Sequence, residues 1–165
     1  MARASVPKLG PAQRKQWLLI LQSNAATPES GYSSSRYRVV IDTNVWVSGL
    51  LYGGNAKEVI QLVLSHHELV CSDYIVDELM EHLKLVRPKV SARWLHMIRL
   101  QLEAHCVSVE ILEPSGIRDA KDEPVVALAV ATEAMIVTGD KDFLEHEGEL
   151  EATVMTVVEA LQLLV

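Results

Sequence analysis

From Arg38 onward the chain alternates between short apolar runs and longer stretches whose apolar residues recur every three or four positions. Five runs have the length and β-branched content of buried strands: RVVID (38–42), ELVC (68–71), CVSVEIL (106–112), AMIVT (134–138) and TVMTV (153–157). Helical spacing covers about 44–51, 55–66, 73–87, 91–105 and 124–133, with a last helix from about 158. Strands that alternate with helices predict an α/β fold, here a five-stranded, mainly parallel sheet with helices on both faces.

The stretch 73–87 carries the sharpest periodicity. Ser72 is placed to cap it and Pro88 to end it. Ile75, Leu79, Leu83 and Val86 form one apolar stripe, widened by Val76 and Met80, with Asp77, Glu81 and Lys84 opposite. Glu78 belongs to neither set. Its spacing puts the carboxylate at the edge of the core, where it could line a cleft.

Residues 1–37 break the pattern. RKQWLLILQSN could make a short amphipathic helix carrying Trp17, Leu18 and Leu21, and AATPESGYSSSR reads as a linker. The division expected is an N-terminal extension over 1–37 and one domain over 38–165. The length of 165 residues suits a single core of that kind. The formal charge of −7 is the wrong sign for a protein that grips nucleic acid by charge alone, although a cation held in a carboxylate site would reverse the sign locally. Cys71 and Cys106 suit neither a disulfide framework nor a zinc site, and two buried, reduced thiols are expected. No apolar run is long enough for a membrane span, and WLLIL is too brief for a signal-peptide core, so a cytoplasmic protein is expected.

The candidate chemistry lies where strands end. Asp42 closes the first strand, Asp140 follows the 134–138 run after Gly139, and Asp122 precedes a nearly all-apolar helix with Pro124 in its first turn. Ligands of open parallel sheets bind outside the carboxyl ends of the strands. If the 38–42 and 134–138 strands are neighbours, Asp42 and Asp140 share one crevice. Each acid also has an ordinary reading. Asp42 could cap the following helix, although Thr43 and Asn44 look better placed; Asp122 could be a cap, Asp140 a turn residue and Glu78 a solvated side chain. As a group they would repel one another, with only single basic residues (Arg118, Lys121, Lys141) nearby. A hard divalent cation such as Mg²⁺ or Mn²⁺ would relieve that repulsion, with phosphate oxygens of a substrate completing its shell, which points to phosphodiester hydrolysis.

Four segments, VVIDTNVWVSGLL, CSDYIVDELMEHL, DAKDEPVVALAVATEAMIVTGDKDFL and TVMTVVEAL, resemble the PIN-domain family. They are most similar to the PIN-family toxins of prokaryotic toxin–antitoxin pairs, over about residues 38–163. The resemblance implies a three-layer PIN-like fold and a Mg²⁺- or Mn²⁺-dependent endoribonuclease that cleaves RNA with a metal-activated water. It implies metal ligation by Asp42, Glu78, Asp122 and Asp140, with Thr43, Asn44 and Thr138 in support. Asp142 and Asp119 stand close enough in sequence to be spares for the fourth and third acids. It also implies a homodimer and a small antitoxin blocking the cleft, with contact expected in the apolar-rich 44–66 region. The surface that would hold RNA is not identified: Lys57, Lys84, Arg87, Lys89 and Arg93 are scattered candidates.

Other chemistries find less support. The six histidines show no zinc-site pairing, although His82, one turn after Glu78, could border the cleft. There is no nucleophile elbow, P-loop or dinucleotide-binding fingerprint. A haloacid-dehalogenase-like phosphatase would need an acid where Asn44 stands. Two alternatives stay open: a catalytically silent PIN-fold module that binds RNA or protein, and a metal-dependent phosphomonoesterase.

Overall fold

The computed structural model describes residues 36–109, 115, 117 and 119–165. The expected helix and linker before Arg36 lie outside them. The chain runs through β1 (Arg38–Ile41), α1 (Thr43–Tyr52), α2 (Gly54–His66), β2 (Glu68–Val70), α3 (Asp73–Val86), α4 (Ala92–Glu103), α5 (Glu123–Thr132), β3 (Met135–Val137), α6 (Lys141–Glu145), a 3₁₀ turn (Glu147–Glu149), β4 (Val154–Met155) and α7 (Val157–Leu164).

The strands form one parallel sheet in the order β2-β1-β3-β4. β1 and β3 are neighbours, as the shared-crevice argument requires, with Val39 opposite Met135, Val40 opposite Ile136 and Ile41 opposite Val137. From β1 the chain winds first to β2 on one side and later to β3 and β4 on the other. The winding therefore reverses between β1 and β3, where a parallel sheet opens a crevice at its carboxyl edge. Successive strand residues point to opposite faces, and Val39, Val40 and Ile41 are all buried, so helices cover β1 on both faces. α5, apolar almost all round, packs against β1, β2 and β3.

Among the described residues the sheet has four strands rather than the five expected. Of the CVSVEIL run, Cys106 makes a single parallel bridge to Cys71, and Val107 is 44% exposed. The ladder has nothing further to pair with, because the residue after Cys71 is Ser72, the cap where the chain turns into α3. Residues 110–112 lie outside the described set. α6 and the 3₁₀ turn fall where no helix was expected. Val86, assigned to the apolar stripe of α3, is 39% exposed at the helix end, while Ile75, Val76, Leu79, Met80 and Leu83 are buried as expected.

Local signals account for most boundaries. Ser72 and Ser91 cap α3 and α4 by accepting hydrogen bonds from the Ile75 and Trp94 amides. Thr156 and Glu159 close a reciprocal capping box on α7. α1 and α2 meet through Gly49: a β-carbon there would lie 2.5 Å from Ile60 Cδ1 and 3.1 Å from the Lys57 amide nitrogen. Gly53 and Gly54, with φ of 77° and 65°, then turn the chain through conformations that favour glycine.

Candidate active site

Asp42 stands one residue past β1, at the N-cap of α1. Its Oδ1 accepts from the Thr43 amide at 2.8 Å and its Oδ2 from the Thr138 hydroxyl at 2.8 Å. Asp42, rather than Thr43 or Asn44, is therefore the cap. Capping leaves the carboxylate at the mouth of the crevice, so the ordinary reading and the chemical one are compatible. Burial pushes the Asp42 carboxyl above its ordinary range, against the two hydrogen bonds, and the neighbouring Glu78 and Asp140 charges push the same way as burial.

The buried hydroxyls set the other acids. Thr43 Oγ1 donates to Glu78 Oε2 at 2.6 Å, tying the edge of α3 to the first turn of α1. Thr138, fully buried just past β3, donates to Asp42 and accepts from the Asp140 amide at 3.0 Å. Asp140 caps α6, its Oδ1 accepting from the Asp142 amide at 2.9 Å. Asn44 Oδ1 accepts from the Gly139 amide at 3.4 Å, a further link between the ends of β1 and β3.

Asp122 differs from these. It occupies the N-cap position of α5 but makes no capping hydrogen bond. Neighbouring Glu123 instead binds Ser115, accepting from both its amide and its hydroxyl. Burial, followed by the charges of Asp42, Asp140, Asp119 and Glu78, pushes the Asp122 carboxyl up to about 7.

All four acids line one cleft of about 360 Å³, together with Thr43, Asn44, Val47, Ser48, Tyr52 and His82. Among the described residues no Lys or Arg lines it. Asp142 does not line it either, which makes Asp140 the fourth acid of the cleft. Asp119 turns its carboxylate to the Lys121 amide, accepts from the Asp122 amide at its backbone carbonyl at 3.0 Å, and raises the Asp122 carboxyl by its charge. His82 borders the cleft as its position after Glu78 suggested, with Nδ1 2.9 Å from the Glu78 carbonyl oxygen. Thr138 and Asp142 support the site from outside the lining.

Sequence reasoning missed Tyr52 and Tyr74. Tyr52, 52% exposed, follows Asn44 and Ser48 at helical spacing, a stripe that could have been read once Asn44 was placed. Tyr74 sits one turn before Glu78 and donates its hydroxyl to the Lys121 carbonyl at 2.6 Å, bracing the backbone next to Asp122. That pairing joins distant segments and leaves no local signal.

A family model for the PIN domain matches residues 38–142, nearly two thirds of the chain and a span that contains all four acids. The chain belongs to the PIN-domain family. No curated protein matches it. PIN domains are usually nucleases and generally use divalent metals, and the donors lining this cleft suit a hard cation, being all oxygen except for His82. Among the described residues no group of three or more His, Cys, Asp or Glu side chains is gathered closely enough to hold an ion as it stands.

Proposed function

We propose that this PIN domain is a Mg²⁺- or Mn²⁺-dependent endoribonuclease that hydrolyses RNA phosphodiesters. One observation carries the reading: four carboxylates, from the end of β1, from α3, from the N-cap of α5 and from the turn after β3, line a single cleft with no Lys or Arg among its described lining residues. The cost of that arrangement falls if a cation is the intended occupant. Asp42, Glu78, Asp122 and Asp140 are the residues that would hold it. A bound divalent ion would supply Lewis acidity and an activated water at neutral pH.

The chain's own part is positioning. Asp42 is fixed by two hydrogen bonds and cannot rotate without breaking them. Glu78 is oriented by Thr43, and Asp140 by the Asp142 amide. Asp122 makes no capping bond and its carboxyl is pushed up to about 7 by burial and its acidic neighbours, so it is the ligand that would give up a proton as a cation binds. Asn44, Ser48 and Tyr52 offer a wall of hydrogen-bonding and aromatic groups to a nucleotide beside the scissile bond.

The toxin assignment extends this reading: a homodimer, with a small antitoxin covering the cleft across the 44–66 region, where Tyr52 stands exposed.

The test is cleavage of a mixed, labelled RNA pool with Mn²⁺ or Mg²⁺, beside Asp42→Asn and an EDTA control. Activity in the wild type that both controls abolish is the expected result. An inactive wild type that takes up no Mn²⁺ by calorimetry would leave a silent binding module. Turnover of a simple phosphomonoester without RNA cleavage would favour the phosphatase alternative.

A further inference from the structure

The bridge beyond β2 brings together the two cysteines, which the sequence keeps apart. Cys71 and Cys106 are direct partners in a parallel bridge. It is closed on both sides: the Cys71 amide donates to His105 O at 3.1 Å and the Val107 amide to Cys71 O at 3.0 Å. Directly paired residues project to the same face of a sheet, and adjacent strands lie about 4.8 Å apart. A disulfide requires a Cα separation of roughly 4.4–6.8 Å, so the backbone is already within range. Both residues are free thiols.

The pair is unequal. Cys71 is buried, whereas Cys106 is partly exposed, contrary to the expectation of two buried thiols. Hydrogen bonding from Cys71 draws the Cys106 thiol below its ordinary value, against burial and the Asp73 and Glu103 carboxylates. The same contact, with burial, pushes Cys71 well above its own. Thiolate is the reactive form, and Cys106, whose thiol donates to the Leu102 carbonyl at 3.5 Å, is the sulfur that solvent can reach.

We propose that Cys71 and Cys106 are a peroxide-reactive thiol pair that closes reversibly into an intramolecular disulfide at the edge of the sheet. The Cys106 thiolate attacks a peroxide oxygen; an S–O bond forms, the O–O bond breaks, and the released hydroxide takes up a proton to become water. Cys71 sulfur then attacks the sulfenic sulfur. The S–S bond forms, the S–O bond breaks, and the departing hydroxide carries off the Cys71 proton as a second water. Two thiols are oxidised by two electrons in all, and one hydrogen peroxide is reduced to two waters. The link would tie Cys106 to the residue preceding Ser72, the cap of the helix that carries Glu78. Non-catalytic disulfides of this kind, where they occur inside cells, are usually transient sensors.

The full chain, treated with a modest excess of hydrogen peroxide, is quenched, denatured, alkylated with iodoacetamide and weighed intact. The expected product is lighter by two hydrogen atoms, takes up no alkyl group, returns to two labelled thiols after dithiothreitol, and yields a Cys71–Cys106 peptide on mapping. With Cys71→Ser, dimedone should trap a sulfenic acid on Cys106; with Cys106→Ser, Cys71 should stay unmodified over the same time. Two alkylated thiols in treated wild type, sulfinic acid on Cys106, or disulfide-linked dimers would each overturn the proposal. Should Cys71→Ser fail to fold, the wild-type mass and peptide map decide alone.

Discussion

Among the acids of the cleft, Asp122 is the one whose carboxyl is pushed furthest from its ordinary value. A carboxyl held near 7 is one the folded state prefers neutral, so its favourable contribution is complete below the ordinary value of 3.8 and is lost as pH rises through about 7. In metal-free protein Asp122→Asn, which mimics the neutral acid, should therefore raise stability at pH 8 and change it little at pH 4. Partial exposure screens the effect, and about 1 kcal/mol is expected at the alkaline end. Thermal melts of both proteins in EDTA at the two pH values check this; equal melting temperatures at pH 8 would mean that Asp122 is not strained by its neighbours. Thr138 makes the opposite case. Its hydroxyl serves Asp42 and the Asp140 amide at once, so Thr138→Val strands two partners and should cost about 1–3 kcal/mol, with Thr138→Ser recovering most of it. Urea unfolding of the two variants separates loss of the hydroxyl from a change in packing.

At the scale of elements, the strand ends and the Ser72 cap were legible because their signals are local, whereas the α1 cap was not, Asp42 taking the place expected of Thr43 or Asn44. The apolar run 39–41 announces a buried strand, and the residues that follow lie at its carboxyl edge; hence Asp42, and by the same reasoning Asp140 after 134–138, were read as cleft residues. Glu78 was legible from the boundary of the 3.6-residue stripe. α6 was not, because five residues are too few to show a period. Tyr74 on the Lys121 carbonyl and Cys71 beside Cys106 were hidden because topology rather than spacing brings them together. Gly49 lies between these cases. Mid-helix glycine costs about 1 kcal/mol against alanine, so sequence alone advises replacing it. A β-carbon there would meet the α2 backbone at Lys57 as well as Ile60, and backbone cannot step aside as a side chain does. Gly49→Ala should therefore destabilise the fold by about 1–3 kcal/mol despite its better helix propensity. Chemical denaturation decides the sign, and a more stable variant would show that α1 and α2 can separate freely.

For the molecule as a whole, the question is why a fold should gather four acids at the topological switch point between β1 and β3. The covered sheet, the bulk of the buried core and the capped helices would be no less stable with neutral residues at those ends. The acids thus set a local cost against stability that a cation would offset. This links metal, proton and fold. Binding a cation at Asp122 requires its carboxyl to ionise, so the ion and the proton compete for the same oxygens. Mn²⁺ uptake measured by calorimetry should be accompanied by release of up to one proton when the buffer is below about 7, and affinity should fall by up to about tenfold for each pH unit below that point. Asp122→Asn should weaken binding and remove the pH dependence together. At 100 times its dissociation constant, bound ion should add about 2.7 kcal/mol to wild-type stability by mass action alone, and the same melts in Mn²⁺ rather than EDTA should show it. Tight binding that is indifferent to pH would place the ion away from Asp122. A melting temperature unmoved by Mn²⁺ would separate the acids of this cleft from metal altogether, leaving their mutual repulsion without an occupant to explain it.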